Sequence, residues 1–184
     1  MYLSTARTNS ILSRKFRSQR GGMGGVAEDG PLLAALGLIV TLAAGGAYAF
    51  FGTSKSAAEF STIDTLSTNI RSLYGGTYPA QDLSSDLIGN HQTGNIRTDG
   101  NATIYNQTGG VITPTGNGGS YSITDANISY DACVYILSHI PPAGYTSAAG
   151  TDGTVLTTFK IPTDTAQQHC TKGSNANSVT VTAQ

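Results

Sequence analysis

A chain of 184 residues with a formal net charge of −1 has room for one domain and a membrane element, but not for two sizeable domains. Only 11% of the residues are charged, Gly numbers 23 and Trp is absent. That composition suits an extracellular, β-rich surface and tells against a cytosolic enzyme.

The small net charge conceals an asymmetry. Arg7, Arg14, Lys15, Arg17 and Arg20 fall in the first twenty residues, where there is no acid, and the remaining 5 bases face 11 acids, a net of −6. A basic arm on an acidic body is either a nucleic-acid tail or a cytoplasmic flank obeying the positive-inside bias. The apolar run that follows favours the flank, and the next base is Lys55, so no nucleic-acid partner is expected. From Pro31 to Gly52 the chain carries no charge over 22 residues. As a helix this run is about 33 Å long, against a hydrocarbon core of about 30 Å. A cleavable secretory signal has a shorter apolar core. Glu28 and Asp29 stand at the mouth of this helix, beside its positive N-terminal dipole, with Pro31 in the first turn.

The helix continues past the membrane run. Phe60, Ile63, Leu66, Ile70 and Leu73 recur at spacings of three and four, with Glu59, Asp64, Thr68 and Arg71 off that stripe. Gly75-Gly76 and Pro79 then provide a stop. The first half of the helix, apolar all round, requires lipid or other helices. The second half, apolar on one side, requires a globular domain against it.

Beyond Tyr78 short β-type runs ("ATIYN", "GVITPT", "SYSIT", "GTVLTTFKI", "SVTVTAQ") alternate with Gly, Asn, Asp and Pro clusters. Between them "SYDACVYILSHIPP" places Ala132, Tyr135, Ile136 and His139 at helical spacing and ends in Pro141-Pro142. The expected architecture is α+β, an antiparallel sheet packed on the amphipathic half-helix. The two cysteines, Cys133 in the short helix and Cys170 near the final strand, read as one disulfide in an exported chain, and as two free thiols in a cytosolic one. A bridge closing a loop of about 38 residues contributes roughly 4 kcal/mol by chain entropy.

The chain offers no catalytic constellation. His91, His139 and His169 are isolated in sequence, and the His169-Cys170 pair is unsuited to nucleophilic catalysis because adjacent side chains point apart. Asp99, Asp125, Asp131, Asp152 and Asp164 sit in turn-like contexts, where Asp is a turn former. No calcium-loop pattern is present, and the "GNGG" at 116–119 lacks the strand-loop-helix setting of a phosphate cradle. Glycosylation acceptor patterns begin at Asn101, Asn106 and Asn127, as expected by chance in a chain so rich in Asn and Thr. No enzyme activity, metal or cofactor is expected.

A short basic leader, a glycine junction, a carboxylate a few residues on, an apolar-then-amphipathic helix and a C-terminal cysteine pair together resemble a type IV pilin. The leader of about 22 residues with Met next resembles the type IVb branch. "IYNQTGGVITP" followed by "YSITDANISYDACVYILS" is similar to the major pilins of conjugative thin pili, in which an Asn-x-x-Gly-Gly turn precedes a strand and then a Cys-bearing short helix.

The resemblance implies a type IV pilin fold in four parts. Residues 1–22 are a cleaved leader, 23–52 the apolar helix serving as membrane anchor and filament core, 53–76 its amphipathic continuation, and 77–184 the β-rich head closed by Cys133 and Cys170. It implies a structural subunit, cut by prepilin peptidase at Gly22–Met23 or alternatively Gly24–Gly25. The subunit passes from the inner membrane through pilus assembly machinery into an extracellular filament of its own copies, for cell contact, adhesion or conjugation. Glu28, or alternatively Asp29, would pair with a neighbour's terminal amine. Pilins generally place this glutamate fifth after the cut; cutting after Gly22 makes Glu28 sixth, and cutting after Gly24 makes Asp29 fifth. A minor pilin of the same system, and an anchored periplasmic binding protein or enzyme, are the competing readings.

Overall fold

The computed structural model describes residues 54–184. No helix among them is long and apolar enough to cross a membrane; the apolar run from Pro31 to Gly52, with the leader junction and both N-terminal carboxylates, lies outside the described residues. The first described element is α1, helical over 54–74. Ile63, Leu66 and Ile70 are buried to 1% exposure or less, with Phe60 and Leu73 packed at the edge of the core. The stripe is wider than its apolar members, because Ser56, Glu59, Thr62 and Ser67 are also buried. Glu59, expected off the stripe, lies on it. Gly75 and Gly76 follow with φ of 61° and 101°, ending the helix in the left-handed conformation that glycine adopts without strain.

A six-stranded, wholly antiparallel sheet forms the body of the head, in the order β1-β2-β3-β6-β4-β5. The strands are β1 (Ile104–Tyr105), β2 (Val111–Asn117), β3 (Ser120–Ile128), β4 (Tyr145–Ala149), β5 (Val155–Leu156) and β6 (Asn177–Ala183). Burial alternates strictly along β6, and Val179, Val181 and Ala183 meet Tyr121, Ile123 and Ile128 of β3 in the core. The opposite faces carry Ser and Thr, with Thr124 and Thr180 sharing a hydroxyl hydrogen bond of 2.9 Å across β3 and β6.

The glycine-rich 116–119 stretch is the tight end of the β2–β3 hairpin, with Gly118 at φ 67°. Segment 78–83 lies along the outer edge of β2, exchanging bonds between Tyr78 and Gly118 and between Leu83 and the Pro114 carbonyl. Pro114, which has no N–H, is tolerated in β2 because this side is covered by isolated bridges at Tyr78 and Asp82 rather than by a continuous strand.

Three short helices complete the head: α2 (Ser84–Gly89), α3 (Tyr130–His139) and α4 (Thr163–Gln168). The expected short helix is α3, whose first turn is capped by the Ser129 hydroxyl accepting from the Ala132 N–H at 3.2 Å. The expected strand "GTVLTTFKI" shrinks to Val155–Leu156, and α2, α4 and β4 were not legible in the pattern. β4 reads as "YTSAA", with little β propensity of its own; it is a strand because β6 pairs with it.

Candidate functional site

Three features join α1 to the sheet and close the head. The first is the seam along α1. The Tyr121 hydroxyl donates to the Ser67 carbonyl at 3.0 Å and lies 2.7 Å from the Ser67 hydroxyl, which in turn accepts from Arg71 Nη2 at 2.7 Å. Arg71 stands 5.9 Å from the centre of the Tyr145 ring, and the Tyr145 hydroxyl donates to Asp64 Oδ1 at 3.2 Å. Burial first, then the neighbouring Asp64 charge, push the Tyr145 phenol up to about 12 against a favourable bond from Ser67, so it stays a donor. Tyr78 packs its ring 4.7 Å from that of Tyr121. Tyr121→Phe removes the one hydroxyl that bridges β3 to α1. It is expected to cost about 1–2 kcal/mol, read as a lowered urea midpoint at unchanged m-value.

The second feature is the Asn106–Gly110 turn between β1 and β2. Asn106 is buried, and its side-chain oxygen accepts from the N–H groups of Thr108 and Gly110 and from the Thr108 hydroxyl. Its side-chain amide donates to Asp125 Oδ1 at 2.7 Å and to the Ala126 carbonyl at 2.8 Å. Gly109 supplies φ 88°, and Gly110 supplies space: a Cβ there would stand 1.9 Å from the Ala126 oxygen. Next along the turn, the Gln107 N–H donates to Glu59 Oε2 of α1 at 3.2 Å. Asp125 therefore corrects an expectation. It is a strand residue, 0% exposed, not a turn former, because the alternation of β3 points it inward. Asn106, an acceptor pattern in sequence, is equally inaccessible to modification, whereas Asn101 and Asn127 are exposed.

The third feature is the disulfide. Cys133 of α3 bonds Cys170 beyond α4, with Cα atoms 6.1 Å apart and a sequence separation of 37. Within that loop His169 Nδ1 meets Asp152 Oδ2 at 2.9 Å, a hydrogen bond that is an ion pair only when the imidazole is protonated. The His169 bond, aided by Thr154, holds the Asp152 carboxyl down to about 2. Asp99, in contrast, fulfils the turn-former expectation, accepting from the N–H groups of Asn101, Ala102 and Thr103.

Of the residues singled out in the sequence, Cys133 and Cys170 are brought together, while Gly22, Met23, Gly24, Gly25, Glu28 and Asp29 lie outside the described residues. Glu59 and Asp125 were missed as partners. A strict reading of alternation through "SYSITDANI" would have turned Asp125 inward with Tyr121 and Ile123.

Residues 53–184 match the family described as PilS N terminal. The chain belongs to the PilS N-terminal family. Two solved structures share its fold. The type IVb pilin from Salmonella typhi aligns at 21% identity with a TM-score of 0.58, over 68% of this chain and 97% of that one. TcpA, a type IV pilin from Vibrio cholerae El Tor biotype, aligns at 10% identity with a TM-score of 0.52, over 71% of this chain and 99% of that one. No curated protein sequence matches the chain. Together with the family match, these likenesses support the resemblance to type IVb pilins. The helix, antiparallel sheet and Cys133–Cys170 bridge of this PilS-family head are those of a type IV pilin fold.

Proposed function

We propose that this pilus subunit is a major pilin, made as an inner-membrane precursor, cut between Gly22 and Met23 by prepilin peptidase, and assembled into an extracellular filament for cell contact, adhesion or conjugation. Residues 1–22 are the leader, 23–52 the anchor that becomes the filament core, 53–76 the amphipathic continuation and 77–184 the head. The observation that supports the reading is a change of character in the sequence at the start of α1. α1 buries one side against the sheet, and the 22 residues before Thr53 carry no charge at all. An apolar segment of that length has no place in the head's own core, so it requires lipid and then its own copies.

In this reading Glu28 docks on a neighbour's terminal amine. A carboxylate in an apolar filament core is costly unless paired, so it sets the register of each arriving subunit. Such a head-to-tail contact does not close on itself and grows as a helical fibre. The test is the N-terminal sequence and intact mass of protein from sheared cell-surface material, alongside a Glu28→Ala variant. An N-terminus at Met23, with Glu28→Ala processed normally but yielding few filaments, is the expected result. A full-length chain confined to the membrane overturns the reading. Normal filament yield from Glu28→Ala overturns the pairing role.

A further inference from the structure

Two oxygens in the interior lack a donor: Glu59 Oε1 and Asp125 Oδ2, each with almost no accessible surface. Their partners are already accounted for. Asn106 and Gln107, successive residues of one turn, hold the other oxygen of each carboxyl, Asp125 Oδ1 and Glu59 Oε2. Both protons of the Asn106 amide are spent, and the N–H groups of Thr108, Gly109 and Gly110 go to Asn106, that of Thr108 also acting on Glu59. No donor of the turn reaches Glu59 Oε1 or Asp125 Oδ2, and two buried carboxyl oxygens without one carry a large desolvation penalty.

We propose that Glu59 and Asp125 hold one proton between them, Asp125 as the acid and Glu59 as the carboxylate, and that this proton clamps α1 to the Asn106–Gly110 turn. A protonated Asp125 becomes a donor at Oδ2, and in this assignment Glu59 Oε1 is the oxygen that accepts from it. Like charges sharing a buried site do not both ionise cheaply. Desolvation first, opposed by the Asn106 bond and reinforced by the Glu59 charge, raises the Asp125 carboxyl to about 7; burial raises Glu59 as well, against the Gln107 and Thr108 backbone bonds.

The charged surroundings are sparse. The cavity beside Glu59 is lined by Lys55 from α1, Thr108 from the turn, Asn127 and Ser129 from the β3–α3 junction, and Asn175 from beyond α4. Lys55, which is exposed, is the only other titratable group on that lining. Glu59 is the charged group acting on Asp125.

The sign follows from the raised folded-state value. A group that binds its proton more tightly when folded contributes stability that is complete below about pH 4, the ordinary carboxyl range, and is lost as the pH rises to about 7. Asp125→Asn mimics the acid at every pH, its amide donating to Glu59. Thermal unfolding of the full chain in detergent micelles, from pH 5 to 8, separates the two. The wild-type Tm is expected to fall by roughly 5–10 °C relative to Asp125→Asn, whose profile lacks this component. Carbon-13 carboxyl signals of the wild type provide a reading independent of any variant, with one Asp titrating near neutrality. Parallel pH profiles, or every Asp carboxyl titrating below pH 5, overturn the proposal. So does a rise in wild-type Tm with millimolar calcium at pH 8 that is absent in Asp125→Asn, since the oxygens would then hold a cation.

Discussion

Replacing both Cys133 and Cys170 with Ser lowers the stability of the head by about 4 kcal/mol, the chain-entropy value for the loop they close, and its Tm by roughly 15 °C. The size of the effect follows from what the loop contains. Between the cysteines, after α3, regular structure is confined to β4, the two residues of β5 and the six of α4. Few side chains there are buried, chiefly Ile140, Tyr145, Ala148, Ile161 and Ala166. Local burial is thin, so this segment is the part of the head most dependent on the cross-link. Lys160 is exposed inside the loop, at φ 60°, and gives trypsin a reporter. Faster cleavage after Lys160 in the double variant is the expected result. Unchanged Tm and unchanged digestion would show that the packing of α3 on α4 and β6 holds this region without the bond.

Gly110→Ala should cost roughly 3 kcal/mol, and far more than the same change at its neighbour. A Cβ on Gly110 would stand 1.9 Å from the Ala126 oxygen and 2.6 Å from Asn106 Nδ2. Backbone cannot yield there without pulling β2 from β3 or breaking the Asn106 bonds to Asp125 and Ala126. Gly109 has the opposite character: φ is 88° and nothing lies within 4 Å of its would-be Cβ, so alanine meets only the left-handed backbone penalty of about 1–2 kcal/mol. Urea midpoints of the two variants, measured side by side, decide the matter. A larger loss at Gly109 would mean that conformation rather than close approach dictates the second glycine of the Asn-x-x-Gly-Gly turn.

Much of the head was legible because its signals are local. Ile63, Leu66 and Ile70 announce a helix face through their spacing alone, and Gly75-Gly76 announce its end. Ser129 followed by "YDACVYIL" announces a capped short helix. Glu59 was misplaced because a charged residue is assigned to solvent by default, and only a partner from another element, here the Gln107 N–H, makes its burial affordable. Asp125 was misread for a related reason. Its neighbours Asp131 and Asn127 look like loop composition, and the ladder to β2 and β6 that fixes its direction is non-local.

By itself the sequence determined the type of each long element, the cysteine pair and the division between an uncharged run and an amphipathic helix, since each depends on periodicity or count within one stretch of chain. Only the tertiary structure decided the strand order, with the C-terminal β6 between β3 and β4, because pairing partners 31 to 62 residues apart leave no mark on each other's local pattern. It also decided that two acids 66 positions apart, Glu59 and Asp125, are gripped by one turn. Burial gives these carboxyls their chemistry, and burial is a property of the packed chain.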